Sequence, residues 1–269
     1  MKNFKMKTYR ILSKKVGRQG SIRLAFLSDL HGMRFGQGNC RLAQAVEEAR
    51  PDLVLVGGDM MVGEPNPRLE AADELLDSLV KKFPVYYAFG NHEGRLMEDP
   101  EKYGDTFPRF YQRLQGKGVC FLRNQKVSVD VGAGVPVALW GWDGERRFYR
   151  KLRRVVMEDG YLDGVLGKPG AKAYNILLAH NPQFAQAYFS WGADLILSGH
   201  YHGGICRFSE NRGLVAPNFR LFPPYCCGLF SKGSQHMAVS PGLGEHTVRF
   251  RIHNPRELIV IEIVHGGDV

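Results

Sequence analysis

The 269-residue chain is predicted to adopt an α/β fold, a sheet with helices packed on its faces. Three observations predict it. Short apolar runs recur along the chain, stretches with helical apolar spacing separate several of them, and strand and helix signals alternate. No internal repeat, low-complexity tract or linker-like stretch interrupts the pattern, so residues 1–269 read as one domain.

The strand candidates, in order, are IRLAFLSD (22–29), DLVLVGGD (52–59), PVYYAFGNH (84–92), VALWGWD (137–143), YNILLAHN (174–181) and ADLILSGH (193–200). Each holds a run of Val, Ile, Leu or aromatic residues of a length suited to a buried strand. HMAVSPGL (236–243) and LIVIEIV (258–264) add two more. A helix is expected over 39–50, where Asn39 can cap and Leu42, Val46 and Ala49 share a face. A second is expected over 67–82, with Pro67 near its start and Leu69, Ala72, Leu75, Leu76, Leu79 and Val80 as its stripe. Residues 106–116 and 182–191 read as helices that Gly116 and Gly192 stop. In 145–156, Phe148, Leu152, Val155 and Val156 would form the apolar face of a basic helix, read as an ordinary surface helix or one that meets an anionic membrane. RLFPPYCCGLF (220–230) is too aromatic for an exposed linker and is expected to be buried, with a lipid-contacting lid as the other reading.

Composition bounds the class. Hydrophobic residues make up 44% and charged residues 23%, enough apolar content for a core. The net charge of +9 points to anionic partners without choosing among nucleic acid, phosphorylated substrate and membrane. No basic stretch is interleaved with enough aromatics to read as a nucleic-acid platform. The five cysteines are odd in number and lack C-x-x-C spacing, as expected for a reducing cytoplasm. No apolar stretch has the length of a membrane span, so the expected location is cytoplasmic or peripheral at the inner face of the membrane.

The chemistry lies at the strand ends. Five runs finish at Asp29, Asp59, Asn91, His180 and His200, and His31 and His202 follow two positions after their partners. In extended chain such i, i+2 pairs face one side. Ligands of open α/β sheets gather at the carboxyl ends of strands. Seven oxygen and nitrogen donors exceed the four that one zinc takes and suit two divalent ions, with Mn, Fe, Zn or Mg as candidates. Such a pair activates water for phosphoester hydrolysis. Taken singly, Asp29 reads as a cap, Asp59 as a turn residue and His180 as a core imidazole. Their joint order along the chain is what argues otherwise.

SDLHG (28–32), GGD (57–59), GNHE (90–93), AHN (179–181) and SGHYHGG (198–204) resemble the motif set of the calcineurin-like metallophosphoesterases. Later stretches, among them PGLGEHTVRFRIHNPRELIVIEI, are similar to a bacterial branch of membrane-associated phosphodiesterases and UDP-2,3-diacylglucosamine pyrophosphatase-like proteins. The resemblance implies a two-sheet β-sandwich flanked by helices, a four-layer αββα arrangement. It implies that Asp29, His31 and His202 hold one metal, that Asn91, His180 and His200 hold the second, and that Asp59 bridges. His92 would be the general acid or phosphate-binding group, oriented by Glu93. Tyr201 stands where the family usually has Thr, and Ile205 where the branch often has Gln, which leaves the substrate pocket open.

The expected activity is that of a dinuclear metal-dependent phosphodiesterase or pyrophosphatase acting through a metal-bridging hydroxide, on a phosphoester that is lipid-linked or nucleotide. A nuclease or cyclic nucleotide phosphodiesterase is the alternative enzyme, and a non-catalytic metal-containing scaffold the alternative class. An anionic membrane surface is the expected partner beyond substrate, and the sequence sets no oligomeric state.

Overall fold

Apolar side chains two apart along the strands sort the protein into layers. The computed structural model describes residues 3–150, 155–217, 219–245 and 250–267. In chain order the elements are β1 (Lys5–Ser13), β2 (Ser21–Leu27), α1 (Cys40–Ala49), β3 (Leu53–Val56), α2 (Glu70–Leu79), β4 (Val85–Ala88) and α3 (Asn91–Glu98). Then come α4 (Pro100–Tyr103), α5 (Thr106–Gly116), β5 (Cys120–Leu122), β6 (Gln125–Val129), β7 (Val137–Trp142), α6 (Tyr161–Leu166), β8 (Tyr174–Ala179) and α7 (Ala185–Trp191). The last are β9 (Leu195–Ser198), β10 (Arg207–Ser209), β11 (Arg212–Gly213), β12 (Gly228–Lys232), β13 (Gln235–Val239) and β14 (Glu257–His265).

Two six-stranded sheets carry the fold, in the orders β1-β14-β2-β3-β4-β5 and β12-β13-β9-β8-β7-β6, beside a small β10-β11 ribbon. From β2 to β5, and across β13, β9, β8 and β7, every neighbouring pair is parallel. Ile22, Leu24 and Phe26 of β2 face Leu139, Ile176, Leu178 and Leu197 of the other sheet in one buried core. Their neighbours Ala25 and Leu27 turn outward onto α1, α2 and α5, where Leu42, Val46, Leu75, Leu76 and Phe110 cover them. On the second sheet Leu177 and Ala179 pack outward on Tyr188, Phe189 and Trp191 of α7. The result is the two-sheet sandwich flanked by helices.

Several local expectations change. Asn39 does not cap α1. It takes a left-handed conformation and is buried, accepting the Phe35 N–H at 2.8 Å and donating to the Ala71 carbonyl at 2.8 Å, which ties the start of α1 to α2. Helix α2 begins three residues after Pro67. Gly116 is the last residue of α5, and Gly118, at φ 101°, makes the left-handed turn instead. Gly192 (φ 103°) does end α7, as expected. Of the expected 145–156 helix, the described residues show a single turn over Arg146–Tyr149, after which Arg150 is extended (φ −67°, ψ 128°). Burial of Phe148 against Trp142 and Phe184 anchors that turn to the sheet. Residues 151–154, with Leu152 and half of the basic run (Lys151, Arg153 and Arg154), lie outside the described residues, while Val156 is exposed. In the 220–230 loop Cys226 and Cys227 are buried, but Leu221 and Phe222 project into solvent. All five cysteines are free thiols, and no helix among the described residues is long and apolar enough to cross a membrane.

Candidate metal centre

The carboxyl ends of β2 and β3 in one sheet and of β8 and β9 in the other meet, because the residues that follow them cluster. Asp29 and His31 follow β2, Asp59 follows β3, Asn91 follows β4, His180 follows β8, and His200 and His202 follow β9. The structure brings all these strand ends together. Asp29, His31 and His202 offer donor atoms within 4.8 Å of one another, as do Asp59, His180 and His200, and as do His31, Asp59 and His92.

The backbone that gathers them is not extended. Asp29, His31, Asp59, His200 and His202 all have φ between 46° and 65°, the left-handed region that side chains with a Cβ seldom occupy. The i, i+2 pairs therefore converge through tight turns rather than through strand alternation. Such strain persists where the surroundings over-determine it, and it concentrates at functional sites. Here the surroundings are close backbone contacts. A Cβ on Gly90 would sit on the Asp59 carboxylate, and one on Gly199 would sit on the Asp29 carboxylate and the Ser28 hydroxyl.

Hydrogen bonds fix which atoms face the centre. His180 Nδ1 lies 2.6 Å from the Gly57 carbonyl and donates to it, so that in the neutral imidazole, the form that ligates a metal, Nε2 is the lone-pair nitrogen. That Nε2 is 3.0 Å from Asp59 Oδ2, an ion pair when the imidazole is protonated. Asn91 Oδ1 is buried without a partner among the described residues. His31 Nε2 and His202 Nε2 approach to 3.2 Å, and Asp29 Oδ1 lies 3.4 Å from the latter. The Asp29 carboxylate is held by the Ser28 hydroxyl at 2.6 Å and by the His200 N–H at 3.1 Å. Buried nitrogen and carboxylate donors left facing one another are what a divalent cation satisfies, so this donor set fits a metal.

Electrostatics tell the same story in the absence of an ion. Burial pushes Asp29 up to about 6 despite the imidazole of His180. Burial also lifts Asp59, but His180, His92 and His31 outweigh it and hold that carboxyl well below its usual range. His180 is driven down by burial, yet the carboxylates of Asp59 and Asp29 raise it to about 10. His200 falls to about 3, by burial and then by the charge on His180. Two carboxylates thus share one imidazolium where cations belong.

Glu93 does not orient His92. Its carboxylate accepts the N–H groups of Asp59 and Met60 at 2.8 Å, that of Gly90 at 3.1 Å and the Tyr87 hydroxyl at 2.6 Å. It is the brace of the two turns that carry Asp59 and Asn91. His92 is set instead by Gly63, whose N–H donates to Nδ1 at 2.6 Å. That bond puts the imidazole proton of a neutral His92 on Nε2, 3.8 Å from Asp59 Oδ2.

The centre opens into a cavity of about 230 Å³. Its lining includes the polar groups of His92, Arg95, Tyr149 and Arg150 and the apolar groups of Ile205, Val215, Ala216 and Phe219. Sequence reading missed Arg95 and Tyr149. Arg95 lies one turn beyond Asn91 on α3, a spacing that was legible once a helix was recognised there. The Tyr149 hydroxyl is buried without a hydrogen-bond partner among the described residues, with its ring 5.3 Å from that of His200. Nothing in the sequence marks it. Tyr201, between the last two histidines, is buried beside Ala216, Cys226 and Cys227. His236 and His265 stay outside the centre, bonded to Ser231 and to the Val16 carbonyl.

The family model described as calcineurin-like phosphoesterase matches residues 22–204. The phosphodiesterase YaeI of Escherichia coli is 27% identical over 250 residues, covering 90% of this chain and 82% of that one. The uncharacterized metallophosphoesterase YkoQ of Bacillus subtilis is 25% identical over 243 residues, covering 90% and 83%. A dimetal phosphatase from Danio rerio aligns over 84% of this chain and 88% of its own at 12% identity, with a TM-score of 0.42.

Proposed function

The chain belongs to the calcineurin-like phosphoesterase family, and from that premise we propose that it hydrolyses phosphodiester or pyrophosphate bonds with two divalent ions held by seven side chains. The observation that carries the reading is the grouping of Asp29, His31 and His202, and of Asp59, His180 and His200, each with donor atoms within 4.8 Å, beside Asn91 in the same cavity. Unpartnered donor atoms face inward there. Asp29, His31 and His202 would hold one ion, Asn91, His180 and His200 the other, with Asp59 shared. Bound there, the ions would supply Lewis acidity, polarising phosphoryl oxygens and lowering the pKa of the attacking water.

The chain's own groups do the rest. His92, with Nε2–H as its hydrogen-bond donor, stabilises the charge that develops on the leaving oxygen as its bond to phosphorus breaks, and transfers a proton there only from its imidazolium form. Tyr149 and Arg95 face the same cavity and donate to non-bridging phosphoryl oxygens. The apolar wall of Ile205, Val215 and Phe219 accommodates an apolar substituent on the ester, which supports a lipid-linked substrate over a free nucleotide. Five unpaired thiols support a reducing compartment, the cytoplasm, as its location.

The test is hydrolysis of bis-p-nitrophenyl phosphate beside p-nitrophenyl phosphate by chelated protein reloaded with Mn, Fe, Zn or Mg. Metal-dependent diester turnover, abolished in Asp59→Asn and cut about 10²–10⁴-fold in His92→Ala, is the expected result. Two ions bound per chain with no turnover of any phosphoester would replace this reading with a binding scaffold.

A further inference from the structure

An apolar rim stands beside the mouth of the cavity. Phe208, Phe219, Leu221, Phe222, Phe250 and Ile252 are each 47–65% exposed. They form one surface. The rings of Phe208 and Phe222 are 5.9 Å apart, and the Arg207 N–H donates to the Ile252 carbonyl at 3.0 Å, joining the strand of Phe208 to Ile252. Leu221 pairs with Val215 in an isolated bridge, and Val215, Phe219 and Phe250 all line the cavity. Exposed apolar groups scattered singly are ordinary, but a contiguous set of six at a site entrance marks an interaction surface.

Two further features say what covers it. Phe219 and Phe222 have φ of 64° and 47°, so the loop accepts backbone strain and still displays aromatic rings to water. The surrounding segment 206–222 exposes Arg212 and Arg220, while Arg207 is buried on Glu257 at 2.7 Å and the one acid of the segment, Glu210, is paired with Lys7 at 3.0 Å. The whole chain has a charge of +9. A second copy would set two cationic rims face to face, which like-charge repulsion opposes. An anionic surface with an apolar interior matches both the rings and the charges.

We infer that this rim docks on an anionic phospholipid surface and presents the cavity mouth at headgroup depth. The inference stands apart from the catalytic reading, because docking needs neither metal nor turnover. A phosphoester anchored in the same leaflet then reaches the centre along the apolar wall without leaving the lipid.

The experiment is co-sedimentation of the full chain with phosphatidylcholine vesicles, with and without phosphatidylglycerol, at low and high salt. The wild type is expected to pellet with the phosphatidylglycerol vesicles at low salt, with partitioning reduced by high salt and by omission of the anionic lipid. Phe208→Ser/Phe222→Ser, with an unfolding midpoint like that of wild type, is expected to partition about tenfold more weakly or worse. Arg212→Glu, an exposed change on the β10-β11 ribbon, is expected to weaken binding to the anionic vesicles alone. Wild type left in the supernatant with every vesicle overturns the inference, as does a double variant that binds like wild type. A concentration-dependent dimer that the double variant splits, without vesicle binding, overturns it in favour of a second copy.

Discussion

At the scale of single residues, the centre is governed by which nitrogen carries a proton. In metal-free protein the protonated His180 imidazole is stabilised by Asp59 and Asp29, with its pKa raised to about 10. A histidine raised above its unfolded value of about 6.5 contributes stability that is complete below that pH and lost as pH climbs towards the folded value. Chelated protein should therefore lose thermal stability between pH 6.5 and 10. Metal-loaded protein, whose His180 must be neutral to ligate, should not show this loss, and melting curves over that range with and without chelator will tell. Tyr149→Phe removes one buried, unpartnered hydroxyl and no packing. It should lower diester kcat about 10–100-fold while leaving the melting midpoint near wild type. Glu93→Gln halves the acceptor capacity that serves three N–H groups and a hydroxyl. A loss of about 1–3 kcal/mol in stability, with weaker metal retention measured by elemental analysis, is expected.

At the scale of elements, the strands that end at the centre were legible because fully buried parallel strands are nearly uninterrupted apolar runs. LVLV and LILS leave little else to be. The donors at their ends were legible from their joint order along the chain, since each taken singly has an ordinary structural use at a strand end. What stayed hidden depends on partners distant in sequence. Strand β1 alternates exposed and half-buried residues and is a strand only because β14 pairs with it over nine residues. The Arg146–Tyr149 turn carries a helical pattern, but burial of Phe148 decides its course. The left-handed geometry of five donors was invisible, because it is imposed by the turns packed against them rather than by their own preferences. Those turns give a test. Gly90→Ala places a methyl on the Asp59 carboxylate and should cost about 1–3 kcal/mol in stability, together with most of the bound metal. Gly116→Ala meets nothing and should be nearly silent by the same two measurements.

At the scale of the whole molecule, each sheet supplies half of the centre, and the hydrophobic core between them sets the spacing of the halves. Metal should therefore act as a clamp between the sheets. Removing it with chelator should lower the melting midpoint, and restoring it should raise the midpoint in proportion to the logarithm of free metal, as binding to the native state alone requires. The order of the first sheet carries one more consequence. Strand β14 lies between β1 and β2, yet it is made about 230 residues after β2 ends. On the ribosome, β2 waits with an unsatisfied edge through nearly the entire synthesis of the chain, and the nascent protein is a client for whatever shields such edges. Its maturation is thus paced by translation, and a message cut short before Glu257 should yield an aggregate rather than a smaller enzyme.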